Sequence, residues 1–162
     1  EEGFDQIAYC LNLIKNDPTS RRIFMSLWNP PQLNEMALTP CHVSYQFYVE
    51  NGELSCSMYQ RSADLFLGLP FNIASTYILT KIMAQASGLK VGDIIISLGD
   101  AHIYSNHIDQ VKLQLSRPIY PPPKLKINRR IEDLDDIESL KYEDFELIDY
   151  QCHPPIKAEM AV

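Results

Sequence analysis

Apolar and polar residues change their period several times along this chain. Between Asp5 and Asn16, Ile7, Leu11 and Ile14 recur at helical spacing, which predicts a helix with one apolar face, ended by Asp17-Pro18. Arg22 to Asn29, RIFMSLWN, is β-branched and aromatic and reads as a strand closed by Pro30-Pro31. A loop or short helix, QLNEMALTP, leads to Cys41. HVSYQFYV and LSCSMYQR then alternate with period two on either side of Asn51-Gly52, the pair preferred in a tight hairpin turn. With those two residues as the whole turn, Glu50 faces Glu53, Phe47 faces Cys56, His42 faces Arg61 and Cys41 faces Ser62.

ADLFLGLPFN reads as a loop punctuated by Gly68 and Pro70. From about Asn72 to Ser87 the chain is apolar on all sides, predicting a buried helix that Gly88 caps. DIIISLGDAHIY is a buried strand with a polar tip, and NHIDQVKLQLSR is a second amphipathic helix. PIYPPPKLKIN is proline-rich before a short strand, EDLDDIESLKYED is an acidic connection, FELIDY is a last strand and HPPIKAEMAV is an irregular tail. The pattern predicts one α+β domain, with hairpins in a single sheet and helices packed on it.

Composition narrows the function classes. The 162 residues are 46% hydrophobic and 22% charged, ordinary for a globular domain with a sizeable core. A net charge of −7 speaks against a nucleic-acid partner, which asks for a basic face, but leaves room for a small anion at a local arginine cluster. No apolar run has the length of a membrane span, and no signal peptide opens the chain, so neither a membrane partner nor secretion is expected. Cys10, Cys41, Cys56 and Cys152 are scattered without zinc spacing, which fits reduced thiols in the cytoplasm and no metal. The chain opens directly on a helix without an initiating Met, so the expectation is that it begins inside a larger domain.

Candidate chemistry gathers around the hairpin. A lone cysteine is usually an inert buried hydrophobe, and an ordinary thiol is only a few per cent ionised near pH 7. The hairpin register places Arg61 and Ser62 beside Cys41, and a neighbouring guanidinium would raise the thiolate fraction. His42 is adjacent to Cys41, but neighbours in a strand point to opposite faces, which makes them a poor hydrolase dyad. Arg21, Arg22, Arg61 and Ser62 are either plain surface or ligands for a phosphorylated substrate, because guanidinium binds phosphate bidentately. Asn72 is either a helix cap or an amide that donates and accepts at once, as the edge of a pyrimidine with a carbonyl beside an N–H requires. His102 and Tyr104 alternate onto one face, where they could bind a sugar hydroxyl or merely satisfy each other.

MALTPCHVSYQFYV, LSCSMYQRSADLFLGLPFNIAS and GDAHIYSNHIDQ, in that order, closely resemble thymidylate synthase, and the resemblance runs from the first helix to the final valine. It implies a mixed sheet with helices on one face, the sheet packing against its twin in a homodimer. It also implies reductive methylation of dUMP to dTMP, with 5,10-methylenetetrahydrofolate as co-substrate supplying both carbon and hydride. Cys41 matches the nucleophile that adds to carbon 6 of uracil. Arg61 and Ser62 match phosphate ligands, and Arg21 and Arg22 match the pair that reaches the partner's phosphate site. Asn72 matches the amide that reads the uracil edge, His102 and Tyr104 the pair on the ribose hydroxyl. Asp64 matches a residue touching nucleotide and folate, and Ala161 a C-terminal residue that closes over the folate.

Three alternatives stay open: a catalytically incomplete nucleotide-binding fragment, a dCMP hydroxymethylase, and an unrelated cysteine hydrolase using His42 or His102 as base. The hydroxymethylases carry an acid where Asn72 stands, and the amide favours dUMP. Two departures from the family stand out. Ala63 replaces a cysteine, and the part of the usual domain holding a phosphate arginine, a proton-handling glutamate and folate-lining aromatics has no counterpart here.

Overall fold

The computed structural model describes residues 3–160. Helix α1 spans Gln6–Asn16; the Asp5 carboxylate caps it by accepting from the Ala8 N–H at 2.9 Å, and Cys10, Leu11 and Ile14 are its buried face. Strand β1 is only Phe24–Ser26, shorter than the expected run, and a 3₁₀ turn over Pro30–Glu35 carries the chain to β2, His42–Glu50. Asn51 and Gly52 both take positive φ, 51° and 77°, so the two-residue turn forms as expected and delivers β3, Glu53–Asp64.

Registers from Glu50↔Glu53 to Ser44↔Tyr59 match the expectation, Phe47↔Cys56 included. A bulge between His42 and Ser44 then shifts the pairing by one, so His42 faces Gln60 rather than Arg61. Cys41 correspondingly lies against Arg61 rather than Ser62: the Arg61 N–H donates to the Cys41 carbonyl at 2.9 Å.

Helix α2 runs Leu69–Ala86 and begins earlier than expected. Pro70 sits in its first turn, where a missing N–H costs nothing, so this proline starts the helix and does not break it. Gly88, at φ +70°, closes the other end as expected: its N–H bonds the Gln85 carbonyl and the Leu89 N–H bonds that of Ala84. Only one side of α2 is covered, through Thr76, Thr80, Met83, Ala84 and Ala86, while Phe71 and Ile73 are 75% and 48% exposed. The expectation of an all-round buried helix is corrected accordingly.

Strand β4, Lys90–His102, lies parallel to β3, giving a four-stranded mixed sheet in the order β1-β2-β3-β4. Alternation divides its two faces. Tyr45, Phe47, Leu54, Cys56 and Met58 point into the core with α1 and α2, while Phe24, Tyr48, Tyr59 and Ile95 are exposed on the other side. Each fully buried Leu54 or Met58 side chain stabilises the fold by about 1.5–3 kcal/mol. After α3, Ile108–Leu115, two short strands β5, Lys124–Ile127, and β6, Phe145–Ile148, form a separate antiparallel pair, so the single sheet expected becomes two. The acidic connection between them also contains a short helix, α4, Leu134–Glu138, capped by Asp133.

Gly99 marks a close approach between β4 and β3. A Cβ there would lie 2.7 Å from the Arg61 carbonyl oxygen, a backbone atom that cannot swing aside. Gly99→Ala is expected to destabilise the protein by about 1–3 kcal/mol, read as a lower urea midpoint. An unchanged midpoint would show that β3 shifts there freely.

Candidate active site

The strand directions converge on one end of the sheet. β2 starts where β3 and β4 finish, because β2 and β3 are antiparallel and β3 and β4 parallel. Cys41 therefore stands beside Arg61, Ser62 pairs with Asp100, and Asp64 pairs with His102. Five of the expected site residues meet at this edge by backbone pairing alone.

Arg61 is held from two directions. Its Nε donates to the Pro40 carbonyl at 2.9 Å and its Nη2 to the Thr39 carbonyl at 2.7 Å, while the guanidinium lies 5.9 Å from the Trp28 ring centroid. The arginine thus ties down the two residues ahead of Cys41, and it does so with only part of its five-donor fork. Cys41 is half-buried, which sets it apart from Cys10 and Cys56, whose burial pushes each thiol up to about 11.

His42 turns away from this chemistry. Its Nδ1 shares a 2.6 Å hydrogen bond with the Tyr45 hydroxyl, its Nε2 is buried without a partner, and burial holds the imidazole below its usual range. With both ring nitrogens accounted for, neither reaches the Cys41 thiol, so a Cys41–His42 hydrolase dyad does not form.

Asn72 lies in the first turns of α2, inside the helix and not capping it. Its Oδ1 accepts from Gln60 Nε2 at 2.9 Å, and the same nitrogen donates to the Ser62 carbonyl at 2.9 Å. Asp64 shapes the turn that feeds α2: its carboxylate accepts from the Phe66 N–H at 3.0 Å and its carbonyl from the Gly68 N–H at 3.1 Å. His102 bonds Asp100 at 2.7 Å and packs edge-on against Tyr104, 5.0 Å between centroids. His102 and Tyr104 therefore do share a face, with Asp100 as an additional partner.

Arg21 and Arg22 are not brought here. Both are exposed ahead of β1, and Phe24 pairs with Gln46, while it is the far end of β1, Ser26, that pairs with Ser44 toward Cys41. Ala161 lies outside the described residues. His107 and Gln60 were not expected from the sequence. His107 is wholly buried between Phe66 and Tyr104, and its Nε2 donates to the Glu159 carbonyl at 2.7 Å, pinning the tail beside the site. The only sequence signal for either is a polar residue at an inward-facing position, which a period-two or helical reading passes over.

Among the described residues no cluster of His, Cys, Asp and Glu could hold a metal ion, and no helix is long and apolar enough to cross a membrane. The arrangement offers a thiol, an arginine with unused donors, a hydroxyl, and an oriented amide. Comparison with known proteins bears on the chain as a whole. The chain is 54% identical over 159 residues to the thymidylate synthase of Staphylococcus haemolyticus strain JCSC1435, an alignment covering 98% of this chain. It spans about half of that curated relative, 49% of its length. The family model for thymidylate synthase matches residues 1–162, and the chain belongs to the thymidylate synthase family.

Proposed function

We propose that this chain carries the nucleotide-activating portion of a thymidylate synthase and takes part in converting dUMP to dTMP. The observation that supports it most is the meeting of Cys41, Arg61 and Ser62 at one sheet edge, with Asn72 tied to the same edge through Gln60. In this reading the Cys41 thiolate adds to carbon 6 of uracil, and electron density moves to carbon 5, which becomes the nucleophile. Arg61 and Ser62 hold the phosphate by charge-assisted and hydroxyl hydrogen bonds. Asn72 presents an acceptor and a donor to the ring N–H and the neighbouring carbonyl. His102 and Tyr104 hold the ribose hydroxyl. Methylenetetrahydrofolate supplies a one-carbon unit and a hydride; Asp64 and the tail anchored by His107, which leads on to Ala161, would hold it.

A second copy of the chain would cover the open sheet face, where Phe24, Tyr48, Tyr59 and Ile95 are exposed. Arg21 and Arg22, at the other end of β1 from Cys41, are then free to reach the partner's phosphate. Four free thiols suit a reducing cytoplasm.

The test is intact mass after incubation with 5-fluoro-dUMP and methylenetetrahydrofolate, since fluorine at carbon 5 blocks the closing steps. A stable adduct of both small molecules on the chain is the expected result. A folded chain without an adduct would favour the second reading, a portion that binds nucleotide but does not complete the transfer. The 49% span of the relative is what keeps that reading in view.

A further inference from the structure

An asparagine amide nearly superimposes on itself when turned over, with its oxygen and its NH₂ exchanged. That exchange matters for the base. Uracil shows a ring N–H beside a carbonyl, whereas cytosine shows a bare ring nitrogen beside an amino group. One orientation of Asn72 complements uracil and the flipped one complements cytosine. An Asn72 free to turn would therefore discriminate poorly, and selectivity needs a lock.

The structure contains one. The Ser62 carbonyl oxygen can only accept, so the Gln60 atom 2.9 Å from it must be the amide nitrogen. The same nitrogen lies 2.9 Å from Asn72, so the Asn72 atom facing it must be the acceptor, Oδ1. A single backbone carbonyl thus sets the orientation of two amides in series. Gln60 is 1% exposed, so water does not compete for these bonds. Its Oε1 is buried without a partner among the described residues, a cost that a purely structural residue at this inward position would avoid by being apolar. Gln60 leaves Asn72 with its Nδ2 group and the second lone pair of Oδ1 available, in a fixed order.

We propose that Gln60 is the positioning residue that selects uracil over cytosine, acting through the orientation of Asn72 and relaying it from the Ser62 backbone. This deepens the function proposed above and rests on Asn72 reading the pyrimidine. Two substitutions at Gln60 separate these cases. In Gln60→Glu the carboxylate can donate to neither the Ser62 carbonyl nor Asn72, so the relay from the backbone is lost and the bond to Asn72 is regained only with Nδ2 turned inward, the cytosine-complementary order. In Gln60→Met nothing bonds Asn72, and both orders are open.

The experiment is calorimetric titration of the full 162-residue chain and both variants with dUMP, dCMP and inorganic phosphate, alongside thermal melts by circular dichroism. The unsubstituted chain is expected to prefer dUMP. Gln60→Met should lower the dUMP-to-dCMP affinity ratio by at least about tenfold, and Gln60→Glu should lower it further or invert it, with phosphate affinity held within about twofold. If Gln60→Glu does not fold, Gln60→Met carries the test alone. A folded Gln60→Met that keeps the ratio overturns the inference, as does a loss shared equally by dUMP, dCMP and phosphate, the signature of a general structural role. An unsubstituted chain that shows no preference for dUMP removes the underlying reading of Asn72 itself.

Discussion

On the function proposed above, Cys41→Ser is expected to take up no 5-fluoro-dUMP covalently and to lower dTMP formation by roughly 10⁴-fold or more, the scale seen when a nucleophile is removed from a site that otherwise stays assembled. The serine hydroxyl fits where the thiol stood, but it is far less acidic, and no base among the described residues is hydrogen-bonded to it. His42 cannot serve, since its Nδ1 is engaged with Tyr45 and its Nε2 is enclosed. Binding should survive, because the Arg61 guanidinium is held by the Thr39 and Pro40 carbonyls and Asn72 by Gln60, none of them by the thiol. The measurement is paired: intact mass for the adduct, calorimetry for dUMP affinity. A serine variant that still forms the adduct would move the nucleophile to another residue; Cys10 and Cys56 are poor candidates, given thiols raised to about 11 by burial.

Arg61→Lys should weaken nucleotide binding well beyond what its retained charge suggests. The guanidinium satisfies the carbonyls of Thr39 and Pro40 and still has donors left for an anion. A lysine has one compact ammonium, which can serve the carbonyls or the phosphate but not both in this geometry. Each charge-assisted hydrogen bond lost costs about 1.5–3 kcal/mol, so dUMP affinity is expected to fall about tenfold to a hundredfold. The Thr39-Pro40-Cys41 segment would also lose its tether, and alkylation of Cys41 by iodoacetamide should change rate. Calorimetry on the lysine variant decides the first point. Affinity within about twofold of the arginine form would mean that charge alone suffices.

How far the sequence foretold this site depends on how local each signal is. The hairpin was legible because Asn51-Gly52 and strict alternation lie within one stretch of chain, and they bring Cys41 to Arg61 without tertiary information. The bulge at Val43 was not, since the Val43 carbonyl takes its hydrogen bond from the Leu27 N–H, a partner outside the hairpin. Cys41 and His42 were placed one residue off as a result. The parallel pairing that sets Asp64 against His102 joins segments separated by all of α2, and no residue in either strand announces it. The Gln60–Asn72 bond is more remote still, a contact between sheet and helix that only three-dimensional packing reveals. Pro70 misled because the same ring that breaks a helix interior is welcome in its first turn. The β5–β6 pair was read as part of the main sheet because two four-residue strands carry little register information of their own.

The bulge between His42 and Ser44 has a consequence for heritable changes in length. Side chains in a strand alternate sides, so inserting or deleting one residue anywhere between Cys41 and the turn would reverse the side to which the thiol points while leaving Arg61 where it is. The bulge already uses up one such step. A descendant gene could remove it only by losing a second residue from the same arm, or by gaining a compensating one near the turn. Between Cys41 and Arg61 the reading frame of the sheet therefore tolerates paired changes and rejects single ones. Insertions in this protein should accumulate elsewhere, as in the proline-rich and acidic connections flanking β5, where no side chain's facing depends on the count.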